Sequence, residues 1–311
     1  PWAGSAARCP RRARPATGAA PEAPAVRASS KLGGGARPFP GAPVDPKLAG
    51  MHFQVLASGS GGNSLFVESG DLRILIDAGL PAREQWQRLE AARIDHSSID
   101  HLLVTHGHLD HARSAGQLAR GAGAVLHCSQ ALFHNGSIRR HKRLGDWAPA
   151  RPLDLEPRRG RGHIRAQAVL VPHDAEPTYA VRLESEGRVL CVVTDLGSAP
   201  ARLDSELAGC HALVLEFNHD PELLAAGPYS AALKRRIAGP RGHLSNQDAA
   251  ALLARLASPA LDCLVLAHLS RHNNRSELAE AAARQALRAA GLEQVRLRVA
   301  EQDRALERLV V

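Results

Sequence analysis

Three histidines and one aspartate fall within six consecutive positions, His106-Gly107-His108-Leu109-Asp110-His111, directly after an apolar, strand-like run. His106 and His108 are two residues apart, so in extended chain their side chains point the same way, and Gly107 permits a tight turn between them. Asp110 and His111 then open a helix, where aspartate is also a common N-cap. Imidazole and carboxylate groups at this spacing indicate ligands for two neighbouring metal ions; the alternative is an accidental polar loop.

Four more candidate ligands follow other strand-like runs, and they are Asp77, His173, Asp195 and His268. A single aspartate or histidine at a strand end usually caps a turn. Four of them in company with the six-residue cluster instead indicate side chains that converge at one rim of a sheet. All 16 histidines of the chain lie in residues 51–311, which agrees with a role in metal binding.

The elements that must position these residues begin at Met51. About ten short apolar runs rich in β-branched residues alternate with helical segments, which include Asp110–Gly121 and Pro228–Ala238. This pattern predicts an α/β (α+β) fold with two sheets sandwiched between helices over residues 51–311.

Residues 1–50 have a different composition, rich in Ala, Pro, Gly and Arg and without apolar periodicity. Such a segment cannot bury enough surface to offset the entropy of ordering it, so we expect a disordered N-terminal extension. Met51 is the only methionine, and we expect it to be the natural start of the protein. The alternative is an Arg-rich transit peptide.

Charge and cysteine content exclude several classes of protein. The net charge of +8 is uneven, since residues 1–50 carry +6 and residues 51–311 carry +2, so it says little about what the folded part binds. The sequence contains no apolar run of the roughly 18 residues that a membrane span needs, and no membrane partner is expected. Five scattered cysteines without a C-x-x-C motif exclude a disulfide scaffold and suit the reducing cytoplasm.

Residues 51–311 resemble the metallo-β-lactamase superfamily through the six-residue cluster and the four strand-end candidates. They also resemble its YycJ/WalJ-like branch of metallohydrolases. The motifs that carry this second resemblance are Ser58-Gly59-Ser60-Gly61-Gly62-Asn63-Ser64, Asp77-Ala78-Gly79-Leu80, Glu216-Phe217-Asn218-His219-Asp220, Gly227-Pro228-Tyr229, Gly242-His243-Leu244-Ser245-Asn246 and Ala267-His268-Leu269-Ser270-Arg271-His272-Asn273-Asn274. The resemblance implies a four-layer αββα metallo-β-lactamase sandwich.

The resemblance also implies a ligand set for two divalent ions, Zn²⁺ or Mn²⁺. The first ion would be held by His106, His108 and His173, and the second by Asp110, His111 and His268. Asp195 would bridge the two ions, and Asp77 would orient the site from behind the ligands. Nitrogen and oxygen ligands accept either metal, so the choice between zinc and manganese stays open.

The implied function is hydrolysis of phosphodiester bonds in nucleic acid, in particular 5′-to-3′ exonuclease activity on DNA. A hydroxide bridging two ions would be the nucleophile, and Asp110 could orient it. The segments around His243 and His268 also resemble late motifs of ribonuclease Z, which gives His243 a role at the scissile phosphate or leaving oxygen. The alternative for His243 is a loop that caps the following helix.

Substrate contacts are expected from Ser60, Asn63, Asn218, His219 and Lys234, although these side chains could equally hold loops together. The basic stretches Arg139–Arg143 and Lys234–Arg236 could neutralise phosphates or form solvated faces. Only ten aromatic residues occur in the chain, which argues against base stacking as the means of grip.

A second function class stays open, namely a thioester or lactam hydrolase of the same fold, similar to glyoxalase II, since fold alone does not fix function. A non-enzymatic binding module would be expected to lack a ligand, and none is missing. The sequence leaves the oligomeric state and the preference for DNA or RNA undetermined.

Overall fold

The structure is a computed structural model that describes residues 50–311. The expectation of a disordered extension over residues 1–50 therefore falls, apart from Gly50, outside the described residues. The described chain forms two seven-stranded sheets that pack face to face, with helices on the outer face of each. This arrangement confirms the four-layer αββα expectation.

The strands of the described chain are β1 (Met51–Ala57), β2 (Ser64–Ser69), β3 (Leu72–Ile76), β4 (His101–Leu103), β5 (Val125–Cys128), β6 (Leu144–Asp146), β7 (Leu153–Leu155), β8 (Ile164–Val171), β9 (Thr178–Ser185), β10 (Arg188–Val193), β11 (Ala212–Glu216), β12 (Cys263–Ala267), β13 (Arg296–Val299) and β14 (Leu309–Val310). The α-helices are α1 (Ala82–Ala91), α2 (Leu109–Ala112), α3 (Ala115–Ala122), α4 (Leu203–Glu206), α5 (Pro221–Ala226), α6 (Ala231–Ile237), α7 (Asn246–Leu256) and α8 (Ser276–Ala289).

The first sheet has the strand order β14-β1-β2-β3-β4-β5-β6, and the second has β13-β12-β11-β10-β9-β8-β7. Strands β3 to β6 run parallel to one another, as do β10 to β13. A parallel arrangement brings the carboxyl ends of neighbouring strands to one edge of the sheet.

Three apolar clusters hold the four layers together. Inward-facing side chains such as Phe53, Val181 and Val265 fill the space between the sheets. Leu252 of α7 and Leu287 of α8 pack on the outer face of the second sheet. Leu118 of α3 packs on the outer face of the first sheet. Every strand of the central part of each sheet is thus covered on both faces, which explains the apolar runs in the sequence.

Two predicted helices differ from the structure. The segment Asp110–Gly121 is not one helix but two, α2 and α3, which meet at Ser114. The Ser114 hydroxyl donates to the Leu80 carbonyl oxygen at 2.5 Å, a tertiary contact that helical periodicity cannot reveal. The segment Pro228–Ala238 becomes helical only from Ala231, because the Ser230 hydroxyl caps α6 by accepting from the Leu233 N–H at 3.3 Å.

The short strands β6, β7, β13 and β14 lack the length and alternation by which a strand is predicted, since each has two to four residues. The cysteines of the described chain are buried free thiols, at Cys128, Cys191, Cys210 and Cys263. No helix within residues 50–311 combines the length and apolar character needed to cross a lipid bilayer.

Candidate metal centre

The carboxyl ends of six strands meet at one rim of the sandwich. Asp77 follows β3, the cluster from His106 to His111 follows β4, His173 follows β8, Asp195 follows β10 and His268 follows β12, while Glu216 ends β11. Three residues at this rim adopt left-handed backbone, with φ of 60° at Asp77, 59° at Asp195 and 55° at His268. Non-glycine residues adopt this conformation only where the surrounding structure imposes it, and such positions concentrate at functional sites.

The seven predicted ligands lie together. Their side chains form overlapping groups whose donor atoms all fall within 4.8 Å of one another, namely His106 with His108 and His173, Asp110 with His111 and His268, and Asp195 with His106 and His111. Asp195 touches both ends of the cluster, since its carboxylate oxygens lie 3.0 Å from His111 Nε2 and 3.8 Å from His173 Nε2.

The donor atoms fit divalent cations. His106 and His268 are buried, and within residues 50–311 neither Nε2 atom has a hydrogen-bond partner. A buried nitrogen without a partner is costly unless something absent from the polypeptide binds it. Burial holds the pKa of His106 well below its usual value, which keeps the imidazole in the neutral form that binds a metal.

The electrostatics of the site also favour a cation. Burial by itself would lower the pKa of His268, but the nearby carboxylates of Asp195, Asp110 and Glu216 raise it to about 10. Burial likewise opposes ionisation of Asp195, yet the charges of His268 and His111 hold its pKa well below the usual range. The buried carboxylates therefore stabilise positive charge at this rim, which metal ions can supply in place of protons.

Hydrogen bonds from behind fix the ligand orientations. Asp77 Oδ2 accepts from His111 Nδ1 at 2.7 Å and also from the Thr105 hydroxyl at 2.9 Å. The Gly242 carbonyl oxygen accepts from His173 Nδ1 at 2.9 Å. In both histidines the bonded nitrogen leaves Nε2 directed at the cluster. Asp77 thus lies where the sequence analysis expected an orienting residue.

Glu216 is a site residue that the sequence analysis quoted in a motif but did not assign. This fully buried carboxylate ends β11, and its Oε1 accepts from His243 Nδ1 and from His268 Nδ1, both at 2.8 Å. The signal was available, because an acidic residue at the carboxyl end of a strand is the criterion that selected Asp77 and Asp195. Asp174, whose Oδ1 lies 3.3 Å from His108 Nε2, carries no such signal beyond following His173.

An open cleft of about 430 Å³ lies beside the cluster. Its walls include the ligands His108, Asp110, Asp195 and His268, together with Ser60, Leu109, Asn218, Tyr229, Arg236, Ile237, His243, Leu269 and Ser270. This volume is within the range of small-molecule sites. Asp110 and His243, the two predicted catalytic residues, therefore both face the cleft.

The predicted substrate contacts divide into two groups. Ser60 and Asn218 line the cleft. The Asn63 amide is hydrogen-bonded within its loop, because its oxygen accepts from the Gly59 N–H at 2.9 Å and its nitrogen donates to the Gly59 carbonyl oxygen at 3.2 Å. The same nitrogen also lies 2.9 Å from Nε2 of the candidate ligand His111. His219 is buried, and Lys234 Nζ donates to the Ala225 carbonyl oxygen at 2.5 Å.

Arg236 is the member of the basic stretch Lys234–Arg236 of α6 that lines the cleft. Its Nε lies 2.5 Å from Asp174 Oδ2, which ties the guanidinium to the ligand side of the cleft. Arg139, Arg140, Lys142 and Arg143 of the second basic stretch are exposed and do not line this cleft.

Comparisons with known proteins agree with this geometry. A family model for the metallo-beta-lactamase superfamily matches residues 57–268. The exodeoxyribonuclease YycJ of Bacillus anthracis is 32% identical over 247 residues, which cover 78% of this chain and 91% of that protein. The exodeoxyribonuclease WalJ of Streptococcus pneumoniae serotype 2 is 32% identical over 232 residues, which cover 74% and 86%.

A solved structure supports the fold independently. The metallo-beta-lactamase fold protein YhfI of Bacillus subtilis matches this chain with a TM-score of 0.61 at 16% identity, over 82% of this chain and 98% of that one. At this level of identity the similarity concerns the arrangement of strands and helices and not the reaction.

Proposed function

Because the chain belongs to the metallo-β-lactamase superfamily and is a metal-dependent hydrolase, we propose that it hydrolyses phosphodiester bonds of nucleic acid as a 5′-to-3′ DNA exonuclease. The observation that carries the proposal is the similarity, over most of both chains, to two proteins named exodeoxyribonucleases. The ligand cluster beside an open cleft supports it, since His108, Asp110, Asp195 and His268 all line that cleft.

We assign the seven clustered side chains to two divalent ions, Zn²⁺ or Mn²⁺. His106, His108 and His173 form one set of donors, Asp110, His111 and His268 form the other, and Asp195 lies between the two sets. Bound there, two such ions would lower the pKa of a shared water to about 7 and neutralise charge on the phosphate.

Two side chains of the cleft supply the remaining chemistry. Asp110 faces the cleft next to His268 Nε2, at 3.7 Å, and its carboxylate can orient the attacking water. His243 donates Nδ1–H to Glu216. Burial lowers the pKa of His243, but the charge and hydrogen bond of Glu216 raise it above its usual value overall. The raised pKa favours the doubly protonated imidazole, whose Nε2–H can be donated to the leaving oxygen.

The test compares two substrates on protein loaded with Mn²⁺ or Zn²⁺. We expect release of mononucleotides from a 5′-phosphorylated duplex labelled at either end, and no hydrolysis of S-lactoylglutathione. Hydrolysis of S-lactoylglutathione without cleavage of DNA would establish the thioesterase alternative. Shortening of the duplex from its 3′ end would contradict the proposed 5′-to-3′ direction.

A His108→Ala/Asp110→Ala variant should lose turnover while remaining folded by circular dichroism. His243→Ala should lower the rate with metal content unchanged; loss of metal would contradict its role as an acid.

A further inference from the structure

The cleft contains an aromatic ring that the proposed chemistry does not use. Tyr229 lines the cleft together with Arg236 and Ile237. The residue is half-buried, so part of the ring remains accessible from the cleft. Tyr229 belongs to the Gly227-Pro228-Tyr229 motif, to which neither the ligand cluster nor the proton transfer gives a role.

The loop that carries Tyr229 is held in place by close packing. A Cβ atom on Gly227 would lie 2.4 Å from Asn273 Oδ1 and 2.9 Å from the Leu223 carbonyl oxygen, so this approach requires glycine. The Tyr229 ring also contacts the His272 ring edge to face, with centroids 5.9 Å apart and planes at 72°. The ring is therefore presented to the cleft in a fixed orientation, which reduces the entropy lost when a ligand packs on it.

The groups around Tyr229 are apolar on one side and cationic on the other. Leu109, which directly follows His108, is 68% exposed, and it lines the cleft with Ile237 and Leu269. The Arg236 side chain is 60% exposed although it pairs with Asp174, so further donors of the guanidinium are open to a ligand. An aromatic ring for a base and a guanidinium for a phosphate are the two elements of a nucleotide site.

We propose that Tyr229 and Arg236 form a nucleotide subsite, in which the Tyr229 ring stacks on a base next to the cleaved bond and the Arg236 guanidinium binds a neighbouring phosphate. This inference rests on the proposed nuclease function and names the groups that hold its substrate. Every base offers a π face, so such a subsite tolerates any sequence, as an exonuclease requires. The low aromatic content of the chain argued against stacking, but a single ring at the cleft is sufficient for it.

The experiment uses 5′-phosphorylated duplexes that are identical except for one abasic tetrahydrofuran nucleotide at the first, second or third position. Binding is measured by fluorescence anisotropy in EDTA, and kcat/KM is measured with Mn²⁺. For the wild type we expect the affinity and kcat/KM for the duplex with all its bases to be about tenfold higher than for the duplex that is abasic at the stacked position. Tyr229→Leu should remove this difference by lowering both values only for the duplex with all its bases. Tyr229→Phe and Tyr229→Trp should retain it.

Arg236→Gln is the matched contrast, because loss of a phosphate contact should weaken the base-bearing and abasic duplexes by the same factor. The subsite is overturned if the wild type treats all the duplexes alike, or if Tyr229→Leu weakens all of them equally, as a merely structural role would require. A wild type that neither binds nor cleaves any duplex refutes the nuclease function and the subsite together. Cleavage without discrimination refutes the subsite alone.

Discussion

At the scale of single residues, Glu216 shows how one buried carboxylate fixes two imidazoles. Its Oε1 accepts from both His243 and His268 at 2.8 Å, and its Oε2 accepts from the backbone N–H of Leu196 and Leu244 at 3.2 and 3.3 Å. Burial by itself would raise the pKa of Glu216, but the charge and hydrogen bond of His243 dominate and lower it to about 2. The carboxylate thus couples a candidate metal ligand, His268, to the candidate acid, His243.

Glu216→Gln should lower kcat by about 10- to 100-fold, because removal of an orienting partner behind a ligand typically costs that much in activity or metal affinity. The amide keeps the shape but cannot accept two imidazole hydrogen bonds with the strength of a charged group. The measurement is kcat on duplex DNA together with bound metal per chain.

Glu277→Gln is the control for this substitution, since Glu277 is exposed in the first turn of α8 and should behave as wild type. Activity of Glu216→Gln equal to that of the control would show that His243 and His268 need no orientation from this carboxylate.

A histidine outside the site should shape the acid stability of the fold. His127 is buried on β5, its Nε2 pairs with His101 Nδ1 at 3.0 Å, and burial lowers its pKa to about 3. The unfolded chain, with a pKa near 6.5, binds this proton first as the pH falls. The free energy of unfolding should therefore fall below pH 6.5 by up to about 1.4 kcal/mol per pH unit from this residue.

The measurement is urea denaturation of the metal-free protein at pH 7, 6 and 5. His127→Phe should flatten the loss of stability between these values, whereas His134→Phe, at an exposed position, should follow the wild type. Parallel curves for wild type and His127→Phe would mean that His127 takes up its proton without unfolding.

At the scale of elements, the ligand loop after β4 depends on a close approach to the loop after β3. A Cβ on Gly79 would lie 1.6 Å from the Asp110 carbonyl oxygen, while the Asn63 N–H donates to that same oxygen at 2.7 Å. The sequence placed candidate ligands in each of these loops, Asp77 in one and His106 to His111 in the other. Their contact was not predictable, because it joins segments about 30 residues apart through backbone atoms.

Gly79→Ala should therefore displace the loop that carries His108 and Asp110. We expect loss of bound metal and of activity, and destabilisation of about 1–3 kcal/mol by overpacking. Gly121→Ala is the matched control, because Gly121 lies within α3 with no atom within 4 Å of the added methyl group. It should stabilise the fold by about 0.5–1 kcal/mol. Normal metal content in Gly79→Ala would contradict the close approach.

At the scale of the whole molecule, the ligand cluster draws on both sheets. His106, His108 and His111 follow a strand of the first sheet, whereas His173, Asp195 and His268 follow strands of the second. An ion bound by residues from both sheets would link the two sheets at this rim. Its binding free energy would then add to the stability of the folded state.

Removal of metal should lower the melting temperature. Metal at 100 times its Kd contributes about 2.7 kcal/mol, which for a domain of this size corresponds to roughly 5–10 °C. The measurement is thermal unfolding after EDTA treatment and after return of Zn²⁺ or Mn²⁺. His134→Phe should retain the full shift, and His108→Ala/Asp110→Ala should show less. Identical melting with and without metal would exclude a cation shared between the sheets.

The sequence by itself determined the chemistry of the protein and its layered architecture. The candidate ligands can be found from residue type and spacing, because several strands end in Asp or His and the segment from His106 to His111 is compact. The layers of sheet and helix can be predicted because strands that are buried on both faces must be apolar. These are local properties, and each can be read from a few consecutive residues.

Only the tertiary structure decided which groups support the ligands and which face the cleft. Glu216 reaches His243 and His268 across 27 and 52 residues of sequence, and Arg236, not Lys234, lines the cleft. The side of α6 that lines the cleft, the approach of Gly79 to Asp110 and the placement of Tyr229 depend on how whole elements pack. Packing is set by shape complementarity among side chains that are distant in sequence, so it cannot be predicted from a few consecutive residues.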